Sequence, residues 1–427
     1  MPAAFSPAGE RLVPSEWWTE FADPELNTLV ARAVSENFDL LAAWQQLRAA
    51  RALVTREAAA RSPQLDLEAD FESKRPGGGD GESFGLGLRA SYEVDLWGRL
   101  DAAVDVERFR AEAALADYRA TALALSAELS LAWFQLLEAR AQSALLREQI
   151  ATNEQVLQMI RSRVGIGEVR GVDILRQQQL IESTRARLID SESRVELLEH
   201  LLAVLLGRAP QEGVAVDAAQ LPSLAQLPAL PAAGLPAELV RRRPDVQRAF
   251  LLLRSADAEV AVAVTARYPR LSLSASLSTD DQGANELFQD WLRRLAANLV
   301  LPLIDGERRD AEVERSRAVA EQRLVEYGQV SLQAFREVED ALVLERRQHD
   351  LIASLRQQLQ LAEQTYEQLR AEYFNGFGEY LDVLTTLTDV QETRRELLAA
   401  RMDLIEARIV LYRALAGGFT TEREEES

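Results

Sequence analysis

Six carboxylates stand out by their spacing. Asp66, Glu68, Asp70 and Glu72 occupy every second position of one short segment, and Asp173 and Asp382 recur 209 residues apart, each six residues after a glycine, Gly167 and Gly376. Acids at alternate positions form one face of an extended strand, a face that either concentrates cations or simply meets water. A glycine ends a helix at little cost in the left-handed region, so Gly167 and Gly376 mark tight turns. Asp173 and Asp382 then fall at the start of the next helix, where a carboxylate favours the helix dipole and can accept free N–H groups.

Other chemistry has little to stand on. The 427 residues include no cysteine, so thiolate metal sites, thiol nucleophiles and disulfides are excluded. His200 and His349 lie far apart without metal-ligand spacing, and Gly165-Ile-Gly167 lacks the third glycine and preceding strand of a phosphate loop. The 48 basic residues, all arginine but Lys74, face 68 acids, and the net charge of −20 argues against nucleic acid as a partner. No run of apolar residues is long enough for a membrane helix, and the uncharged stretch Leu221 to Ala237 is broken by four prolines. The first residues lack the basic patch and apolar core of a secretory leader. Composition alone therefore describes a soluble cytosolic protein.

The elements that position the carboxylates follow from where glycine and proline are missing. Residues 25–62, 99–164, 172–206 and 379–416 contain neither, and 307–375 contains only Gly328. A 66-residue segment is a rod of roughly 100 Å, a length that calls for a coiled coil or bundle. Leu355, Leu359, Ala362, Tyr366, Leu369 and Tyr373 keep the heptad spacing, and so do Leu146, Ile150, Asn153, Leu157, Ile160 and Val164, each 209 residues earlier. The same offset, drifting from 206 to 209, relates Pro63-Gln-Leu-Asp-Leu to Pro269-Arg-Leu-Ser-Leu and Gly98 to Gly306, so the chain is an internal duplication.

Each copy holds two extended segments. Leu65, Leu67, Ala69 and Phe71 alternate with the acids, and Phe84, Leu86, Leu88, Ala90, Tyr92 and Val94 alternate with glycine and polar residues. Leu271, Leu273, Ala275 and Leu277 alternate with serines, followed by Leu295, Ala297, Leu299 and Leu301. The pattern predicts two hairpins, read either as part of a soluble sandwich or as membrane strands with one lipid and one wet face. Four strands cannot close a barrel, and eight would fill their own interior, so a conducting barrel needs at least three chains and twelve strands.

The residues Trp17-Trp18-Thr-Glu-Phe21-Ala-Asp23-Pro24-Glu-Leu26, with Ala33, Asn37 and Asp39, resemble the N-terminal signature of the outer-membrane factor family, the TolC-like and especially NodT-type channels. Tyr92-Glu-Val-Asp-Leu-Trp97-Gly98-Arg99, Arg242-Arg243-Pro244-Asp245, Tyr268-Pro269 and Pro302-Leu-Ile-Asp305-Gly306 are similar to the family's later landmarks in the same order. The resemblance implies a mainly α chain with a transmembrane β-barrel: a homotrimer whose long coiled-coil helices form an α-barrel across the periplasm, below a 12-stranded barrel in outer-membrane lipid. It implies the exit duct of a tripartite efflux pump, with a periplasmic adaptor and an inner-membrane transporter of the resistance-nodulation-division class as partners, no cofactor and no catalysis. It further implies a periplasmic gate with Asp382 as a carboxylate ring, Leu381 as an apolar constriction and a lock from Tyr373 to Asp173. Thr385 stands where some members carry a second acid, and Gly378 where an arginine can occur, which leaves Arg170 as a substitute. NodT-type members usually begin with a secretion signal and a lipid-carrying cysteine ahead of the Trp17-Trp18 region, so the chain reads as a mature or trimmed lipoprotein.

The expected organisation is an N-terminal equatorial segment (1–24), a first repeat (25–207), a proline-rich linker (208–236), a second repeat (237–416) and a tail (417–427). The first repeat has strands 63–73 and 83–96, a long helix 99–164 and a returning helix 172–206. The second has strands 269–279 and 291–303, a long helix 307–375 and a returning helix 379–416. The competing function is a soluble coiled-coil scaffold or periplasmic adaptor, which would share the heptads but has no use for glycine-looped amphipathic hairpins.

Overall fold

A computed structural model of the chain describes residues 5–6, 9, 13–74, 81–165, 170–212, 227–281 and 290–425. Gly167, both hairpin loops and most of the proline-rich linker lie outside these residues. The helices are α1 (Pro24–Glu36), α2 (Phe38–Ala59), α3 (Arg99–Gly165), α4 (Gly171–Leu205), α5 (Pro236–Arg242), α6 (Pro244–Thr265), α7 (Arg308–Phe374), α8 (Tyr380–Leu415) and the short α9 (Glu422–Glu425). The strands are β1 (Gln64–Lys74), β2 (Gly81–Val94), β3 (Arg270–Asp281) and β4 (Leu292–Val300). The chain divides into two compact units, residues 1–41, 119–243 and 332–427, and residues 42–118 and 244–331. Each unit takes elements from both repeats, so the duplication does not correspond to two bodies.

The first unit is organised around the N-terminal signature. Trp17 stacks on Tyr412 with centroids 5.8 Å apart, Trp18 meets Phe419 edge-on and Phe21 packs on Phe134. Asp23 explains why the aromatic run is followed by a helix. Its Oδ1 accepts the Glu25 and Leu26 N–H groups at 2.9 and 3.1 Å, capping α1, while its Oδ2 accepts the indole N–H of buried Trp133 on α3 at 2.9 Å. Contrary to the composition reading, α3 contains an 18-residue window apolar enough to cross a membrane, but 67% of it is buried within the chain, as befits a core segment.

The expected first helix, residues 25–62, is two helices. Asn37 is extended (φ −65°, ψ 130°) between α1 and α2. Its Oδ1 accepts the Asp39 and Leu40 N–H groups at 3.0 Å, and its Nδ2 donates to the Leu205 carbonyl at the end of α4, also at 3.0 Å. One side-chain amide thus restarts one helix and satisfies the last turn of another. The second repeat breaks at the matching place. Arg243, extended ahead of Pro244, donates from Nη1 to the Ala414 carbonyl near the end of α8 at 3.4 Å and from Nη2 to Glu337 at 2.8 Å.

In the second unit the strands form one antiparallel sheet in the order β1-β2-β3-β4, with β2 and β3 joining the two repeats. The register pairs Leu67 with Leu88, Leu88 with Leu277, Ala90 with Ala275 and Ala275 with Leu295, which puts these apolar residues of all four strands on one face, while Leu292, Ala296 and Val300 of β4 fall on the other and Arg293 joins the apolar face opposite Leu277. Strand β4 ends at Val300, short of the expected 303, because Pro302 has no N–H to give a ladder.

Candidate functional site

Two places gather the residues that the sequence singles out: the turn between α7 and α8, and the polar face of the sheet. Helix α7 ends where the Gly376 N–H bonds to the Tyr373 carbonyl and the Phe377 N–H to the Glu372 carbonyl, with Gly376 at φ 79°. The paired bonds define this left-handed helix stop. After extended Glu379, helix α8 opens with Tyr380, Leu381 and Asp382, so Asp382 is its third residue, and Asp173 holds the same place in α4 after Arg170. Neither carboxylate accepts a backbone N–H among the described residues, which corrects the expected capping bonds and leaves the first-turn dipole interaction.

The two aspartates have opposite surroundings. Asp173 is buried and takes Arg176 Nη1 at 3.2 Å, with Arg170 Nε at 3.9 Å. Arg170 also reaches Glu379 at 3.4 Å, so it stands between the two tip turns. Leu381 and Asp382 are exposed on the chain's surface, and Tyr373 packs its ring on Phe374, Tyr380 and the Arg163 guanidinium.

Tyr380, which sequence reasoning passed over, is the better-connected tyrosine. It is buried with Ile160, Val383, Ile174, Tyr366 and Leu369, and its hydroxyl donates to Gln177 Oε1 at 2.5 Å. Burial pushes its pKa well above the ordinary tyrosine value, and the nearby Tyr373 and Asp173 push in the same direction. From there a buried polar chain runs along the helices. Gln177 Nε2 donates to the Asn153 carbonyl at 2.8 Å, and Asn153 and Gln391 exchange side-chain amides. Gln149 Nε2 donates to the Gln391 carbonyl at 3.0 Å, and Arg395 Nη1 to Gln149 Oε1 at 2.7 Å. These bonds connect α3, α4 and α8. The one sequence signal for them is Asn153 at a position of the heptad seam where its counterpart 209 residues later is Ala362.

On the sheet, Asp66, Glu68, Asp70 and Glu72 are all exposed on the polar face. Gly87 and Gly85 lie directly opposite Glu68 and Asp70, and the Asp70 carboxylate folds over Gly85 so closely that an added Cβ would collide with it. The register also places Arg89, Arg270 and Arg294 on this face, and Arg89 pairs with Glu68 at 3.0 Å. The strand is acidic; the sheet face is mixed with an acidic excess.

Among the described residues the apolar face is uncovered. Leu65, Leu67, Phe71, Leu295 and Leu299 are exposed, Leu295 to 87%. Aromatic side chains bracket it: Trp97 packs on Tyr268 at one end and donates to the Pro269 carbonyl at 2.8 Å, while Phe71 packs on Phe84 at the other. From Val94 to Phe84 the strand covers about 33 Å, or about 25 Å of height at the usual tilt, the thickness of an outer-membrane apolar band.

The sequence model of the family described as "Outer membrane efflux protein" matches residues 29–208 and 235–417, one span for each repeat. The chain belongs to the outer membrane efflux protein family. This efflux protein is 32% identical over 426 residues to the pyoverdine export outer membrane protein OpmQ of Pseudomonas aeruginosa, covering 96% of this chain and 88% of OpmQ. It is 28% identical to the cation efflux system protein CusC of Escherichia coli, over 94% of this chain and 88% of CusC. A solved structure of CusC superposes with a TM-score of 0.91 at 27% identity, covering 98% of this chain and 97% of the other. The efflux protein is thus a mainly helical outer-membrane channel chain reaching into the periplasm, and its four antiparallel strands are the membrane part. The composition reading of a cytosolic protein is overturned, because a membrane strand hides its crossing in alternation.

Proposed function

We propose that this efflux protein is the exit channel of a tripartite pump, passively conducting drugs or other small toxic compounds from the periplasm to the outside. The observation that carries the reading is the sheet: four strands, an exposed apolar face bracketed by aromatics, and an outer edge on both β1 and β4 that no strand among the described residues pairs. Three copies would join β4 of one to β1 of the next and close a 12-stranded barrel. The helices support the same arrangement. Val172, Leu175, Ile189, Leu197 and Val204 form one exposed stripe along α4, and Leu332, Val343, Leu351 and Leu361 another along α7. Two different apolar stripes suit a ring in which each copy meets its neighbour head to tail.

The energy would come from an inner-membrane transporter of the resistance-nodulation-division class through a periplasmic adaptor, with this chain catalysing nothing. In the trimer Leu381 and Asp382, exposed on the first turn of α8, would ring the periplasmic mouth, and Tyr373, Asp173 and Tyr380 would hold the tip closed behind them. The acidic excess of the polar strand face favours cations in the barrel. The alternative of a soluble scaffold or adaptor has no use for the exposed sheet face.

The test is complementation. A strain lacking the gene becomes susceptible to the pump's substrates, and this chain restores resistance while the purified protein stays monodisperse only in detergent. A protein that is monodisperse without detergent, or that leaves susceptibility unchanged, contradicts the reading.

A further inference from the structure

Beside the tip turn, α3, α7 and the first turn of α8 line a partly open cavity of about 220 Å³ whose walls include Val156, Met159, Tyr366, Tyr373, Phe374 and Tyr380. Two arginines also line it, one from each helix. Arg163 of α3 lies 4.8 Å from the Phe374 ring centroid and donates from Nη2 to the Phe374 carbonyl at 3.1 Å. Arg370 of α7 lies 5.9 Å from the same ring, and its nearest carboxylate, Glu367, is an exposed neighbour on the same helix at 3.4 Å.

We propose that this cavity is a binding site for a small aromatic carboxylate. Beside Thr152, Gln155 and aliphatic side chains, its walls carry four aromatic rings and the Met159 thioether, which attract a flat aromatic group on its faces and edges. The two guanidiniums flanking one ring repel each other, and a carboxylate beside Arg370 relieves that repulsion through two parallel hydrogen bonds in the fork geometry that suits it. The exposed Glu367 pair is worth little and is readily exchanged for a better-aligned anion. Size narrows the class further. Sites for drug-sized ligands run from about 300 Å³ upward, so this one has room for one or two fused rings. In a chain of net charge −20, an aromatic hollow with two cations is a departure from the surrounding field.

The bound molecule would contact both α3 and α7 and so favour whichever tip arrangement keeps the two helices at this separation. That consequence, a ligand-stabilised closed tip, rests on the tip being the gate; the site itself does not.

The experiment uses the full chain in detergent and 2-naphthoate as the probe, titrated by calorimetry against 2-naphthylmethanol as the neutral isostere. The expected result is saturable naphthoate binding, about tenfold weaker for the alcohol, weakened about tenfold by Arg370→Gln and abolished by Met159→Trp, which fills the cavity. Arg370 and Met159 are both solvent-accessible, so neither change threatens folding, and an unchanged melting temperature verifies it. Equal uptake of the acid and the alcohol, or naphthoate binding indifferent to both substitutions, overturns the site. Saturating naphthoate should also lower conductance in planar bilayers. Specific binding with no change in conductance keeps the site and overturns the tip as gate.

Discussion

Gln391 Nε2 donates to Asn153 Oδ1 at 2.9 Å while Asn153 Nδ2 donates back to Gln391 Oε1 at 3.3 Å, a closed amide pair buried between α8 and α3. Asn153 is fully buried at a heptad position where an apolar residue would be more stabilising, so the pair costs stability and gives register. A one-turn slip of α8 would leave both amides unpaired.

This pair gives an asymmetric prediction. Asn153→Ala or Gln391→Ala alone orphans the partner amide and should lower stability by about 1–3 kcal/mol. The double change Asn153→Leu with Gln391→Leu should recover or exceed the parent melting temperature, because no polar group is left unpaired. Its cost should appear as mixed register in disulfide trapping between cysteines placed on α3 and α8. Additive losses in the double variant would contradict the pairing account.

Asn37 makes three hydrogen bonds with one side chain. Asn37→Ala should therefore cost about 2 kcal/mol, above an ordinary cap, since the Leu205 carbonyl loses its donor as well. Asn37→Asp keeps the cap but cannot donate, and should fall between the two in thermal unfolding. An aspartate variant as stable as the parent would remove the Leu205 bond from the explanation.

Alkaline pH should loosen the protein. Burial raises Tyr380, and it pushes Tyr412 up to about 12 despite the opposing charge of Arg408. Both are neutral acids in the folded chain, whereas unfolded tyrosine ionises near pH 10. Above that value the unfolded chain sheds protons that the folded chain keeps, so stability is complete below about pH 10 and falls as pH rises through the folded values. Melting temperatures from pH 8 to 11.5 should decline above 10, and less steeply in Tyr380→Phe, which lacks one of the two groups. A decline of equal slope in that variant would discharge Tyr380 from the effect.

The two sheet faces should answer differently to charge. Leu295→Arg lies on the apolar face and should cost about 2–4 kcal/mol in the membrane if it sits near mid-depth, reducing the folded fraction recovered in outer membranes. Ser274→Arg, on the polar face of β3 in register with Ser91, should be tolerated. Equal recovery of both variants would contradict the assigned faces.

Much of this architecture is legible in sequence. The ends of α3, α4 and α8 fall within two residues of the segments free of proline and glycine, and those of α7 within two residues of the segment interrupted only by Gly328, because clusters of proline and glycine mark where a long helix stops. The strands fall within a few residues of their period-2 runs, since one face is mainly apolar along each strand. What the sequence hides depends on partners brought from afar. The break at Asn37 carries no proline or glycine and is stabilised by a carbonyl 168 residues away. Arg89, Arg270 and Arg294 join the acidic strand only through register, and Tyr380 meets Gln177 only because the tip turn brings α8 to α4. Asp173 and Asp382 look equivalent in sequence, yet one is buried beside Arg170, just ahead of its helix, and Arg176, while the other is exposed.

The most direct test of a gated exit channel is single-channel conductance of the purified protein in planar bilayers under a salt gradient. The parent should insert with small conductance, and Asp382→Asn combined with Tyr373→Phe should open it to larger steps whose reversal potential lies on the cation side. Insertion with the same small conductance in both proteins would contradict the gate. A protein that never forms a conducting pore in either form, although folded and trimeric in detergent, would contradict the channel itself.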